Sequence, residues 1–130
     1  MLGTAERTHE IRLSVPAQPS SLAVVRRAVR GFEDVCGVEM TDRLAVILSE
    51  LVTNSIRHGG ISRLAKVEIE LEAGAGGARG RVVDPGRGFD PRLVPRRPLD
   101  EGGLGLRIVE CCSKRWGVNL GDGTEVWFEL

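Results

Sequence analysis

At 130 residues the chain has the length of one domain, enough to bury a single substantial core and too short for two. Eighteen basic residues balance eighteen acidic ones, with pI near 6.7, so no charge excess recommends nucleic acid or an acidic membrane as a generic partner. The longest apolar run, Leu44 to Leu48, has five residues against the roughly 20 of a membrane span, and residues 1–15 lack the apolar middle of a signal peptide, so a cytoplasmic protein is expected.

Hydrophobic residues make up 42% of the chain and Tyr is absent, so the core must come mainly from Val, Leu, Ile and Ala. Cys36, Cys111 and Cys112 are odd in number and show no C-x-x-C spacing. Ordinary buried thiols are expected, rather than a disulfide framework or a zinc site.

Along the chain, Ile11, Leu13 and Val15 alternate with polar residues and predict a short strand ended by Pro16. Ser20 or Ser21 can cap a helix whose apolar stripe is Leu22, Val25, Val29 and Phe32, opposite Arg26, Arg27 and Arg30. A second helix reads most clearly: Thr41 as N-cap, Asp42 at the positive end of the dipole, a buried face of Leu44, Ile47, Leu48, Leu51 and Val52, and Gly59-Gly60 as the stop.

Val67, Ile69 and Leu71 alternate with Glu68, Glu70 and Glu72 in a strand with one wet side, turned back at residues 74–77 into a return strand over 81–83. A proline-rich loop follows. A helix over 104–112 then has Leu104, Ile108 and Cys111 or Cys112 on its inner side, and a hairpin closes the chain, with strands over 116–120 and 124–130 around Gly121-Asp122-Gly123. Strands joined by short turns cannot be parallel, so a mixed, mostly antiparallel sheet with helices on one face is predicted, an α+β two-layer sandwich.

Three segments carry chemistry. On the second helix Glu50 and Asn54 lie one turn apart beside the apolar stripe, about 5 to 6 Å between Cβ atoms, close enough to address one ligand. An amide oxygen suits Mg²⁺, and a carboxylate one turn away can accept a proton. Taken singly, the pair also fits a solvated helix surface with Arg57 as an ion-pair partner.

Asp84 ends an apolar strand and is followed by Pro85-Gly86-Arg87-Gly88. A lone carboxylate there can accept a hydrogen bond from an exocyclic amine such as that of adenine, and the glycines permit close approach. Asp-Pro-Gly equally describes a plain turn. Gly102-Gly103-Leu104-Gly105-Leu106 opens a helix, where free N–H groups and the helix dipole favour phosphate, although neither a Walker nor a Rossmann pattern is present.

In this order and spacing the segments resemble the N box and two glycine boxes of the GHKL ATPase superfamily, which includes gyrase, heat-shock chaperone and histidine kinase ATP-binding domains. Within it, the small size and the SELVTNSIRHG wording are most similar to the anti-sigma-factor serine kinases of bacterial partner-switching systems. The resemblance implies a Bergerat-type ATP-binding fold over residues 1–130 as one histidine kinase-like ATPase domain, with ATP and Mg²⁺ as cofactors.

It implies Glu50 as general base, Asn54 as Mg²⁺ ligand and Asp84 as the adenine-reading carboxylate. Gly86 and Gly88 would form the turn beneath the base. Gly103, Leu104, Gly105 and Leu106 would lie along the phosphates, and Thr124 would support Asp84. His58 matches a position often His in that family and is given no role.

The implied partners are a sigma factor, which the protein sequesters, and an anti-anti-sigma (STAS-type) protein, which it phosphorylates on serine, with a homodimer through the first strand and helix as a further option. Departing from the family, residues 91–101 are short and proline-rich, so an abbreviated lid over ATP is expected, with Arg96 and Arg97 either solvated or reaching the phosphates. Two other readings stand beside this one. One is a non-catalytic nucleotide-binding module that sequesters a protein; the other, less favoured because no dimerising helices with a phosphoacceptor His precede the domain, is the catalytic domain of a histidine kinase.

Overall fold

The alternating residues Ile11, Leu13 and Val15 form β1 (His9–Pro16), one edge of the sheet. In this computed structural model, which describes residues 8–58, 62–86 and 104–130, the chain continues through α1 (Ser21–Arg30), α2 (Glu33–His58), β2 (Lys66–Gly74), β3 (Gly77–Asp84), α3 (Leu104–Cys112), β4 (Arg115–Leu120) and β5 (Thr124–Glu129). The strands lie in the order β1-β2-β3-β5-β4, and each neighbouring pair is antiparallel. The fold is the α+β sandwich predicted; among the described residues the sheet is antiparallel throughout rather than mixed.

Cross-strand rows show why the helices take one face. Leu13, Ile69, Val82, Val126 and Val118 form one row, and Ile11, Leu71, Gly80, Phe128 and Trp116 the next. Against them pack Val25 and Val29 of α1, Phe32, and Leu44, Ile47, Leu48, Leu51 and Val52 of α2, all buried. A Cβ on Gly80 would come within 2.7 Å of the Phe128 ring, so the bare Cα of Gly80 is what lets that ring lie across the central strand.

The opposite face carries the alternate residues: Arg12, Glu70, Arg81 and Trp127 in one row, then Glu10, Glu72, Arg79, Glu129 and Arg115. Ion pairs cross the strands there, Arg79 to Glu72 at 3.0 Å, Arg115 to Glu129 at 2.5 Å, and Arg81 to both Glu70 and Glu125.

Three local expectations are corrected. Neither serine caps α1: Ser20 has helical angles and no capping bond, while the Ser21 hydroxyl donates to the Pro16 carbonyl at 2.6 Å and ties the helix start to the end of β1. Thr41 is not an N-cap either. It is buried inside α2, its hydroxyl donating back to the Gly37 carbonyl at 2.7 Å, and the break in the helix lies at Gly37, with φ 83° and ψ 167°.

On α3 the inward residue is Val109, fully buried, with Cys112 half-buried beside the core and Cys111 exposed. Cys36 is half-buried as well, so none of the three thiols is fully buried as expected. The Gly59-Gly60 stop lies outside the described residues. Among those residues no helix is long and apolar enough to cross a membrane.

Candidate nucleotide-binding site

Asp84 is the last residue of β3, the central strand, and only 5% of it is exposed. A carboxylate so placed needs hydrogen-bond donors, because burying an unpaired charge costs several kcal/mol, of the order expected for an uncompensated ion. Its Oδ1 accepts the N–H of Gly86 at 2.7 Å, closing a turn through Pro85. The plain-turn reading thus holds alongside the carboxylate reading: one oxygen closes the turn, and Oδ2 takes no hydrogen bond from any described residue.

Thr124 opens β5 directly opposite Asp84 in the sheet register and is buried. Its hydroxyl donates to the Gly86 carbonyl at 3.3 Å, so it braces the glycine turn rather than the carboxylate itself. Gly123 completes this corner: a Cβ there would collide with the Asp84 carbonyl oxygen. Sequence reasoning placed Gly123 in a hairpin turn and missed this contact, whose signal is a glycine immediately before the threonine that pairs with Asp84.

Glu50 and Asn54 are half-buried on α2, flanking the stripe of Leu48, Leu51 and Val52. Neither side chain bonds to a described residue, and Arg57, which is exposed, makes no ion pair with Glu50. The stretch is anchored by its neighbours: Arg26 Nε donates to the Ser49 hydroxyl at 3.1 Å, and the Thr53 hydroxyl to the Ser49 carbonyl at 2.7 Å.

Chain direction brings this pair toward Asp84. Met40 and Arg43, near the start of α2, line a cavity with Gly76 and Gly77 of the β2–β3 turn. Asn54 follows Met40 by four turns of helix, roughly 20 Å, in the direction that leads α2 toward Lys66, where β2 begins. Lys66 and Val67 share their end of the sheet with Asp84 and Thr124, since Glu68 pairs with Val83 and Asp84 with Thr124.

Of the remaining candidates, Gly88 and Gly103 lie outside the described residues. Leu104, Gly105 and Leu106 form the first turn of α3, within the helix expected over 104–112. Their N–H groups are among the first four, which have no partner inside a helix.

Among the described residues no group of three or more His, Cys, Asp or Glu could hold an ion alone. Asn54 can supply one oxygen to Mg²⁺ only if phosphate oxygens and water complete the shell, the usual way this ion is held.

Residues 15–130 match the histidine kinase-like ATPase domain, and the chain belongs to that family. Nucleotide binding is what the family implies. The fold is shared with the RsbU and RsbW domains of Rv1364c from Mycobacterium tuberculosis, at 19% identity and TM-score 0.69, over 93% of this chain and 31% of that one.

A blue-light activated histidine kinase of Erythrobacter litoralis matches at 25% identity and TM-score 0.59, over 89% of this chain and 42% of its own. The histidine kinase domain from that protein matches at 23% identity and TM-score 0.51, over 98% and 69%. This chain therefore spans less than half the length of the first two. No curated protein matches its sequence.

Proposed function

We propose that the chain, one domain over residues 1–130, binds ATP with Mg²⁺, phosphorylates a serine of an anti-anti-sigma (STAS-type) partner, and alternatively sequesters a sigma factor. The observation that carries this reading is the buried Asp84–Gly86–Thr124 corner at the end of the central strand, in a member of the histidine kinase-like ATPase family.

In this reading Asp84 accepts the adenine amine and so prefers adenine over guanine, which offers a carbonyl at that position. Gly86 and Gly88 let the base lie against bare backbone. Asn54 holds Mg²⁺, which would supply charge neutralisation at the phosphates. The N–H groups of Gly103, Leu104, Gly105 and Leu106 steady the phosphate oxygens. Glu50 takes the proton of the attacking serine hydroxyl, which the partner supplies, so that the chain's main contribution is placement and charge compensation.

Calorimetric titration with ATP and Mg²⁺ tests the binding half. We expect saturable binding that Asp84→Asn removes and GTP does not reproduce; equal affinity for ATP and GTP would overturn the assignment of Asp84. Transfer of radiolabel from ATP to candidate anti-anti-sigma proteins tests the kinase half, with acid-stable label on serine expected, abolished by Glu50→Ala.

Binding without transfer would identify a nucleotide-gated module that sequesters its partner. The likeness to the Erythrobacter histidine kinase gives a second reading its weight, and acid-labile phosphate on a partner histidine would establish it.

A further inference from the structure

At the end of the fold away from Asp84, a cavity opens between the start of α2, the β2–β3 turn and the last turn of α3. Met40, Arg43, Cys111, Cys112, Ser113 and Lys114 line it. Several observations there go beyond a single thiol. Two adjacent cysteines are both free, Cys111 exposed and Cys112 half-buried. The Ser113 Oγ is buried without a hydrogen-bond partner. Arg43 and Lys114 are exposed and pair with no carboxylate among the described residues, so the two cations face the cavity without the partners that the other sheet-end arginines have.

We propose that Cys111 is a site of S-thiolation by small disulfides bearing carboxylates. The Cys111 thiolate attacks one sulfur of the incoming disulfide RSSR. A protein–S–S–R bond forms, the RS–SR bond breaks, and RS⁻ leaves to take up a proton, so no other oxidant is needed. Arg43 and Lys114, which line the cavity beside Cys111, draw in the carboxylates of R.

The neighbouring thiol does not undo the product. Consecutive Cα atoms are about 3.8 Å apart, below the roughly 4.4 to 6.8 Å that a disulfide spans. On a helix their side chains also diverge by about 100 degrees. Cys112 therefore cannot displace R and close a ring while the last turn of α3 persists, and the mixed disulfide accumulates.

The test is incubation of the full chain with glutathione disulfide, followed by intact mass measurement and peptide mapping. One glutathionyl group on Cys111 is expected, absent in Cys111→Ser and retained in Cys112→Ser and Cys36→Ser. Arg43→Ala with Lys114→Ala should slow the addition several-fold, as should raised salt, and cystamine, a cationic disulfide, should react several-fold more slowly than glutathione disulfide. Circular dichroism of each variant confirms that it is folded. Label spread evenly over the three cysteines, a Cys111–Cys112 bond as the main product, or cystamine reacting as fast as glutathione disulfide would each overturn the proposal.

Discussion

Gly123 holds the most constrained position beside the candidate site, because any side chain there meets the Asp84 carbonyl oxygen, which is fixed in the β3–β5 pairing and cannot swing aside as a flexible side chain would. Gly121, two residues earlier in the same turn, has open space around it. Gly123→Ala is therefore expected to destabilise the fold by about 1 to 3 kcal/mol, the usual cost of forcing extra volume into a packed place, and to weaken ATP binding with it. Gly121→Ala should leave both nearly unchanged, and urea melts of the two variants check the pair; equal midpoints would refute the close approach. Asp84 was legible in the sequence because it ends an apolar strand, and Thr124 because the Gly-Thr that opens the last strand matches a position of the family the chain resembles. Gly123 was not, because its contact arises from a pairing between strands some forty residues apart, and sequence periodicity carries no information about register at that distance.

Among the elements, α2 shows how one residue type can signal two different things. A threonine before an apolar run reads as an N-cap, yet the same hydroxyl can bond back to the carbonyl four residues earlier, and Thr41 does the latter while the chain breaks at Gly37. A Cβ on Gly37 would touch nothing, so space is not the constraint. Its φ of 83° is: Gly37→Ala should cost about 1 to 3 kcal/mol in a thermal melt despite the empty surroundings. On α3 periodicity left Cys111 and Cys112 as alternatives for the inner side, and the packing of Val109 three residues before Cys112 decides between them.

The outer face of the sheet adds a pH dependence. The hydrogen bond from Arg81 holds the Glu70 carboxyl below its ordinary value of 4.5. A depressed carboxylate stabilises the fold above that value and loses its contribution as pH falls through the lower, folded-state value. Glu70→Gln should therefore cost less than about 1 kcal/mol at neutral pH, since the pair is partly exposed, and the gap to wild type should close below the ordinary carboxylate range. Melts at neutral pH and near pH 3 measure it; a gap that widens on acidification would contradict the pairing.

Across the whole molecule the two ends of the sheet are chemically distinct: buried Asp84 and Thr124 at one end, and the thiols with Arg43 and Lys114 beside the β2–β3 turn at the other. The length of β3 separates them, roughly 24 Å for its eight residues. Sites more than about 10 Å apart with no shared partner usually contribute independently, within about 0.5 kcal/mol. One element could break that independence. Helix α3 begins in the second glycine segment and ends in Cys111 and Cys112, so it runs from that segment to the thiol end. Yet Cys111 is exposed while Val109 is the buried residue of α3, so a group added to Cys111 need displace no buried neighbour. ATP with Mg²⁺ at 100 times its dissociation constant should stabilise the fold by about 2.7 kcal/mol. The resulting rise in Tm should be the same for the unmodified protein and for protein thiolated on Cys111, and Asp84→Asn should remove it from both. Were thiolation to abolish the nucleotide-induced rise while Cys111→Ser kept it, α3 would be transmitting strain from one end to the other, and the two sites would have to be treated as one coupled device.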